Sequence, residues 1–363
     1  MRILRRKIRN WKIAFLKNYD WKQYVNQKLS EVNEEISSIE FGKNAGALSG
    51  KEVENQLSIA KLSKEILEYR LENEVPIDGS TLSRTLDAYI MSYQEYLSYA
   101  PDNKLSRSEL LNKKRAEEEY YLNKYRFEKG FYKDKKSFEA STEKAVSLND
   151  IFTEDTFALF FLILVGGTII AEEFNKGTIK QLLLKPYSRT KIFTSKVIAC
   201  LLSFVVFMFI YSLAVVIINA IVYGDIKTLF EPMIFYDFAK GKVIEHSVLF
   251  ACLESLVCVL PMYLIMLGAS LLLGVLTTNT AVSIMVPVMF HAFYQLIHFL
   301  ARGAKWLAYL PTMCWNLTEY LHGGIPEYQY SKFSISIIVD VITLVLIYGL
   351  AYFIFKKKDI KNQ

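Results

Sequence analysis

From Thr156 onward the chain alternates long apolar runs with short charged or turn-forming connections. The runs cover residues 156–171, 197–222, 247–276, 281–300 and 333–355. In hydrocarbon every backbone N–H and C=O must be satisfied within its own segment, so runs of this kind fold as helices. At 1.5 Å per residue, about 20 residues cross the ~30 Å of bilayer hydrocarbon, and the first run, at roughly 24 Å, crosses with local adjustment. The pattern predicts an all-α, polytopic membrane protein with five transmembrane helices. Gly166 and Gly167 permit close helix approach in the first span, and Pro261 kinks the third.

The chain ahead of Asp155 reads differently. Leu4, Ile8, Trp11 and Phe15 recur at steps of four and three among Arg5, Arg6, Lys7, Arg9 and Lys12, which predicts a basic amphipathic helix over residues 1–19 suited to an anionic membrane surface. Its apolar core, residues 13–16, is too short for a signal peptide. Val25, Leu29, Val32, Ile36 and Ile39 form a heptad-like seam, glycines 42, 46 and 50 interrupt it, and Ile59, Leu62, Ile66 and Tyr69 resume it. Two seamed helices joined by a Gly-containing turn predict an antiparallel hairpin. The polar, Tyr-rich stretch that follows has helical spacing near residues 82–99 and 107–127. Residues 20–154 are therefore expected to form a soluble helical domain, followed by a membrane domain over 155–358 and a short tail, 359–363.

Composition excludes several classes. Lys/Arg and Asp/Glu number about 27 and 25 before Asp155 and about 16 and 12 after Glu154, for a net charge of +6, and no basic stripe with interleaved aromatics points to nucleic acid. Cys200, Cys252, Cys258 and Cys314 follow neither a CxxC nor a disulfide spacing. No GxxxxGK[ST] loop is present to cradle nucleotide phosphates. No nucleophile and base are paired in the runs, so the sequence offers no catalytic residues.

Residues 172–196 stand out among the connections. Glu172 and Glu173 end one run, residues 175–178 with Gly177 form a turn signal, and Ile179, Leu182, Leu183 and Leu184 give a short apolar face before Pro186. Such a face suits a short helix lying on a partner or on the bilayer surface. Placing this loop, the turn at 277–280 and the C-terminal tail on one side gathers about ten Lys/Arg there against about six opposite, so that side is expected to be cytosolic.

These residues carry a family resemblance. Glu172-Glu173-Phe174, then Lys176-Gly177-Thr178-Ile179-Lys180, then Leu182 to Arg189 with Lys185 and Pro186, then Lys191-Ile192, closely resemble the first cytosolic loop of type 2 ATP-binding cassette (ABC) exporter permeases. The resemblance extends more weakly over residues 69–358, including EYRLENEVP at 68–76, as in many Gram-positive members, and YLPTMCWNLTEYL at 309–321. It implies a bacterial plasma-membrane, multi-pass permease without cofactor of its own. The partners it implies are a cytosolic ATPase carrying ATP and Mg and a second permease copy or paralogue, in contact with membrane lipid. It also assigns coupling to the ATPase to Glu172, Glu173, Phe174, Gly177, Thr178, Ile179, Lys180, Leu183, Pro186 and Arg189. The family has six spans, the first ahead of an extracytoplasmic domain. This chain departs from the pattern, because no run between Trp11 and Asp20 is long enough to serve as that span.

Other polar residues interrupt the runs. Thr280, Ser283, Pro287, His291, Gln295, His298 and Arg302 recur at steps of three and four and mark one polar stripe along the fourth run. Polar groups in hydrocarbon face protein or water, so this stripe, with Glu254 and Asp340 on other spans, is a candidate intramembrane path. His291, His298 and Glu254 do not amount to a zinc ligand set, since two histidines seven apart and one remote carboxylate fall short of three or four well-placed donors. A non-transporting membrane scaffold or sensor, whose outer helical domain binds a partner, is the competing function.

Overall fold

A computed structural model of the chain describes residues 20–78, 81–99, 105–129, 148–152, 156–184, 186–223, 230, 232–300, 304–326, 328 and 330–358. The basic amphipathic segment over 1–19 lies outside them. Contacts divide the chain into two compact units, Met1–Lys144 and Ala145–Gln363.

In the first unit, α1 (Trp21–Asn44) starts at Asp20, whose carboxylate accepts from the Lys22 and Gln23 backbone N–H groups. That satisfies two of the donors a helix start leaves open. α2 (Lys51–Glu72) follows a turn with positive φ at Gly46 and Gly50, and packs along α1. Val25 and Ile39 of one seam and Leu62 and Ile66 of the other are buried. α3 (Thr81–Ser98) and α4 (Arg107–Lys129) pack together beside α2. Arg70, 1% exposed, closes the α2–α3 corner. Its guanidinium donates to the Ser83 hydroxyl (3.1 Å), the Ser83 carbonyl (2.9 Å) and Asp87 (2.8 Å), which supplies the partners a buried cation requires.

The tyrosines of α3 and α4 form a ring cluster, with Tyr93 stacked on Tyr120 at 4.5 Å and Tyr89 on Tyr120 at 5.8 Å. Burial, followed by the neighbouring tyrosines, pushes the Tyr120 phenol from 10.0 up to about 12. Above pH 10 the unfolded chain loses this proton while the folded one keeps it, so the stabilisation is complete below pH 10 and disappears as pH rises through about 12. An alkaline unfolding transition of this unit is expected in that window by hydrogen exchange on α3 and α4. Tyr120→Phe, which has no proton to lose, should flatten it, and an unchanged profile in the variant would exclude Tyr120 as its source.

The second unit is built around α10 (Val248–Thr277), which packs against α5 (Leu148–Phe152), α6 (Thr156–Ile169), α11 (Thr280–Leu300) and α13 (Phe333–Lys357), with the short α12 (Pro311–Cys314) against α13. Val259, Met262, Tyr263, Met266, Leu267 and Leu271 of α10 are buried in this core. At Gly167 of α6 a Cβ would come within 3.1 Å of the Ser283 backbone carbon, so the missing side chain is what lets α6 meet α11 backbone to backbone. α9 (Arg189–Tyr223) and α13 lie at the outside. Their apolar windows have mean hydropathies of 2.8 and 2.4, yet only 11% of each is buried. In water such faces would be strongly unfavourable, and in a bilayer they are at home.

Among the described residues, four helices are long and apolar enough to cross a membrane: Thr156–Asn175, Arg189–Ile221, Val248–Thr277 and Phe333–Lys357. The fourth expected run, 281–300, lies within α11 (Thr280–Leu300), whose described apolar part is Thr280–Tyr294. The connection after α9 departs from an all-α reading. It contains an antiparallel hairpin of β1 (Met233–Asp237) and β2 (Lys242–His246), paired from Met233↔His246 to Asp237↔Lys242. Asp237, 5% exposed, accepts from the Ala239 and Lys240 N–H groups at 3.0 Å each, which fixes the turn.

Candidate functional site

The loop after α6 folds into two short helices, α7 (Ala171–Asn175) and α8 (Ile179–Leu183), on either side of the expected turn. Gly177, at φ +69°, turns the chain between them. The apolar residues split by face. Phe174 and Ile179 are buried in the core of the second unit, whereas Leu184 is 86% and Tyr187 59% exposed. Lys176, Thr178, Lys180, Gln181 and Pro186 are exposed as well. The Leu183 side chain lies outside those described. Of the ten residues the resemblance assigns to coupling, Phe174 and Ile179 therefore anchor the loop, and Glu172, Thr178, Lys180 and Pro186 are available at its surface.

Polar contacts tie this loop to four helices. Glu173 pairs with Lys196 on α9, both largely buried, while Glu172 pairs with Lys176 at 2.6 Å on the surface. Asn175 donates to the Thr280 hydroxyl at 3.0 Å, at the start of α11. The Arg189 guanidinium donates to the carbonyls of Lys356 (2.8 Å) and Lys358 (2.9 Å), which caps the C-terminus of α13. Lys358 in turn donates to the Val275 and Leu276 carbonyls, capping α10, with its ammonium 5.1 Å from the Phe174 ring centroid. The loop, the 277–280 turn and the C-terminal end of α13 thus meet at one end of the second unit. Arg189 and Lys358 acquire these roles only in three dimensions, although a cation at a helix C-terminus is a recognisable signal.

Of the expected polar path, the Glu254, His291 and Asp340 side chains are among those described. His291 is half-buried with Nδ1 lacking a partner among the described residues, and its ring lies 5.3 Å from Tyr294. The Gln295 and His298 side chains lie outside those described. Asp340 of α13 is 3% exposed, and neither carboxylate oxygen has a hydrogen-bond partner among the described residues. Near it, burial pushes the Cys314 thiol up to about 11, against a lowering hydrogen bond with Ser336 and with a smaller raising effect of Asp340.

Glu254 belongs elsewhere. His246 Nδ1 lies 3.2 Å and His322 Nε2 3.7 Å from its Oε2. The hairpin register explains the approach: Met233 pairs with His246 and Phe235 with Ile244, so Phe235 and His246 are diagonal neighbours on one face. The Phe235 ring stands 5.6 Å from His246 and 4.8 Å from His322. Phe238 N–H donates to the His322 carbonyl at 2.8 Å, and Leu317 N–H to the Cys258 carbonyl of α10 at 3.1 Å. These bonds seat the 3-10 helix Thr318–Gly323 between hairpin and α10. His322 itself is left-handed, at φ 54°. Gly323 follows at φ +76°, and a Cβ there would fall 2.8 Å from the Ala239 nitrogen. Burial lowers the His322 pKa below the ordinary 6.5, against the opposing pull of Glu254. In the sequence His246 and His322 are separated by two apolar runs, so no local spacing announced the cluster.

Together the packed apolar helices, the outward faces of α9 and α13 and the charged end loop define a helical membrane protein. The chain belongs to the family described as "Protein of unknown function (DUF2705)", whose profile matches residues 121–361. It is also similar to the Bacillus subtilis (strain 168) protein described as "Uncharacterized protein YhcI", at 26% identity over 204 residues, 56% of this chain and 64% of that relative. The match thus spans less than two thirds of the relative's length. No solved structure matches.

Proposed function

We propose that this chain is the membrane-spanning permease subunit of an ATP-driven ABC exporter in a bacterial plasma membrane. A separate cytosolic ATPase supplies the energy, with ATP and Mg bound there. The observation that carries this reading is the loop at 172–196, which exposes Lys176, Thr178, Lys180 and Leu184 while its interior is tied to the bundle. When the ATPases close, they press on the face formed by Lys176, Thr178, Lys180 and Leu184. Phe174 and Ile179, buried beneath, pass the displacement into the core, and the Glu173–Lys196 pair passes it into α9. Arg189 and Lys358 hold α13 and α10 to the same end, so several spans shift as one body. The apolar outer faces of α9 and α13 meet lipid or a second permease copy. The end with the loop faces the cytosol by the positive-inside rule, and the helical domain before Asp155 lies outside. Glu254, His291, Gln295, His298 and Asp340 belong to spans or flanking segments along the substrate route.

Cysteine labelling in intact cells tests the central point. Lys176→Cys and Leu184→Cys should resist a membrane-impermeant maleimide until the membrane is opened, and a nucleotide-binding subunit should co-purify with the unmodified chain. Labelling of both positions from outside would put the loop beyond reach of any cytosolic ATPase and leave the scaffold or sensor reading in its place.

A further inference from the structure

We propose that His246, Glu254 and His322 form a binding site for a divalent transition-metal ion, Zn2+ foremost, at the end of α10 remote from the charged loop. The proposal does not depend on the transport reading. Three donor atoms, two imidazole nitrogens and one carboxylate oxygen, all lie within 4.8 Å of one another, and each residue is half-buried. For a tetrahedral ion with ligand bonds near 2.0–2.1 Å, adjacent ligands sit about 3.3 Å apart. The 3.2 Å from His246 Nδ1 to Glu254 Oε2 already matches such an edge, and the 3.7 Å from His322 Nε2 and the nitrogen–nitrogen edge have to contract.

The chemistry of the set narrows the ion. Two imidazoles and one carboxylate favour zinc or a neighbouring first-row divalent ion over Mg2+ or Ca2+, which prefer all-oxygen shells. Three protein ligands leave a fourth position for water or an incoming donor, as in open zinc sites. The surroundings hold the donors in place. Phe235 stands near both imidazole rings, and Phe250 meets the His246 ring edge-on at 4.8 Å. The ligands come from the hairpin, from α10 and from the 3-10 helix Thr318–Gly323. A bound ion would therefore fasten the two connections to the first turns of α10, in the half of the span opposite the Lys358 cap.

The plainer arrangement is a carboxylate hydrogen-bonded by two imidazoles, and a metal titration separates the two. The full chain, purified in detergent and stripped with a chelator, is titrated with Zn2+ alone and then with Co2+ as a spectroscopic probe. One Zn2+ per chain is expected, with an intense tetrahedral Co2+ absorption band in the unmodified protein. His246→Ala, His322→Ala and Glu254→Gln should each weaken binding by more than the roughly 10- to 100-fold that even an outer-shell partner commands. His291→Ala, on a different helix, should leave the affinity unchanged. Because the Co2+ band is read on the unmodified chain, misfolding of a variant cannot hide the answer. Absence of that band, or equal Zn2+ affinity in the His246→Ala/His322→Ala double variant, overturns the site.

Discussion

Asp340→Leu is expected to raise the thermal unfolding temperature of the detergent-solubilised full chain. Asp340 is 3% exposed on α13, and both its oxygens lack a partner among the described residues. A carboxyl in that position has lost its water and received no hydrogen bond in return. Even a buried ion pair can be replaced by apolar residues of similar volume at no cost or with a gain of about 1–4 kcal/mol, and an unpartnered carboxyl has less attraction to lose. Cys314, which feels the Asp340 carboxyl, is itself buried. If transport needs a carboxyl on this face, the same variant will be more stable and less active, and Asp340→Asn will lose activity too. A lower unfolding temperature in Asp340→Leu would show that the carboxyl has a partner and contributes to the fold.

Lys196→Met is expected to act in the opposite direction. Lys196 and Glu173 are 19% and 24% exposed and paired, and the second Glu173 oxygen is buried with no other partner among the described residues. Removing the ammonium strands a desolvated carboxylate. A fully buried pair costs about 3–5 kcal/mol when broken, and the partial exposure here brings the expected loss to about 2–3 kcal/mol. The Lys196→Met/Glu173→Gln double variant should recover much of that loss, since no charge is then left unpaired. Thermal melts of the single and double variants read this directly. Equal melts for Lys196→Met and the unmodified chain would reduce the pair to a surface contact of little weight. Under the proposed function, the single variant also uncouples ATP hydrolysis from export, because the loop loses its tie to α9.

The membrane character of the second unit was legible because it is a local property. An unbroken apolar run as long as α9 or α13 declares its environment without reference to any neighbour. The turn at Gly177 was legible for the same reason. The hairpin at 233–246 was not, since a short strand pair reads as a polar connection until Asp237 is seen fixing its turn. Nor was the inward burial of Ile179, because a short helix carries too few residues for its apolar face to say whether the bundle or a partner lies against it.

By itself the sequence determined that this protein lives among lipids as packed helices, with a charged loop held in water between two of them. Desolvation of backbone and side chains decides that much residue by residue. The fold alone brings Glu254 to His246 and His322, and makes Arg189 and Lys358 cap helices far from them in the chain. Those contacts depend on where connections close across α10, and closure over long separations leaves no trace in local spacing.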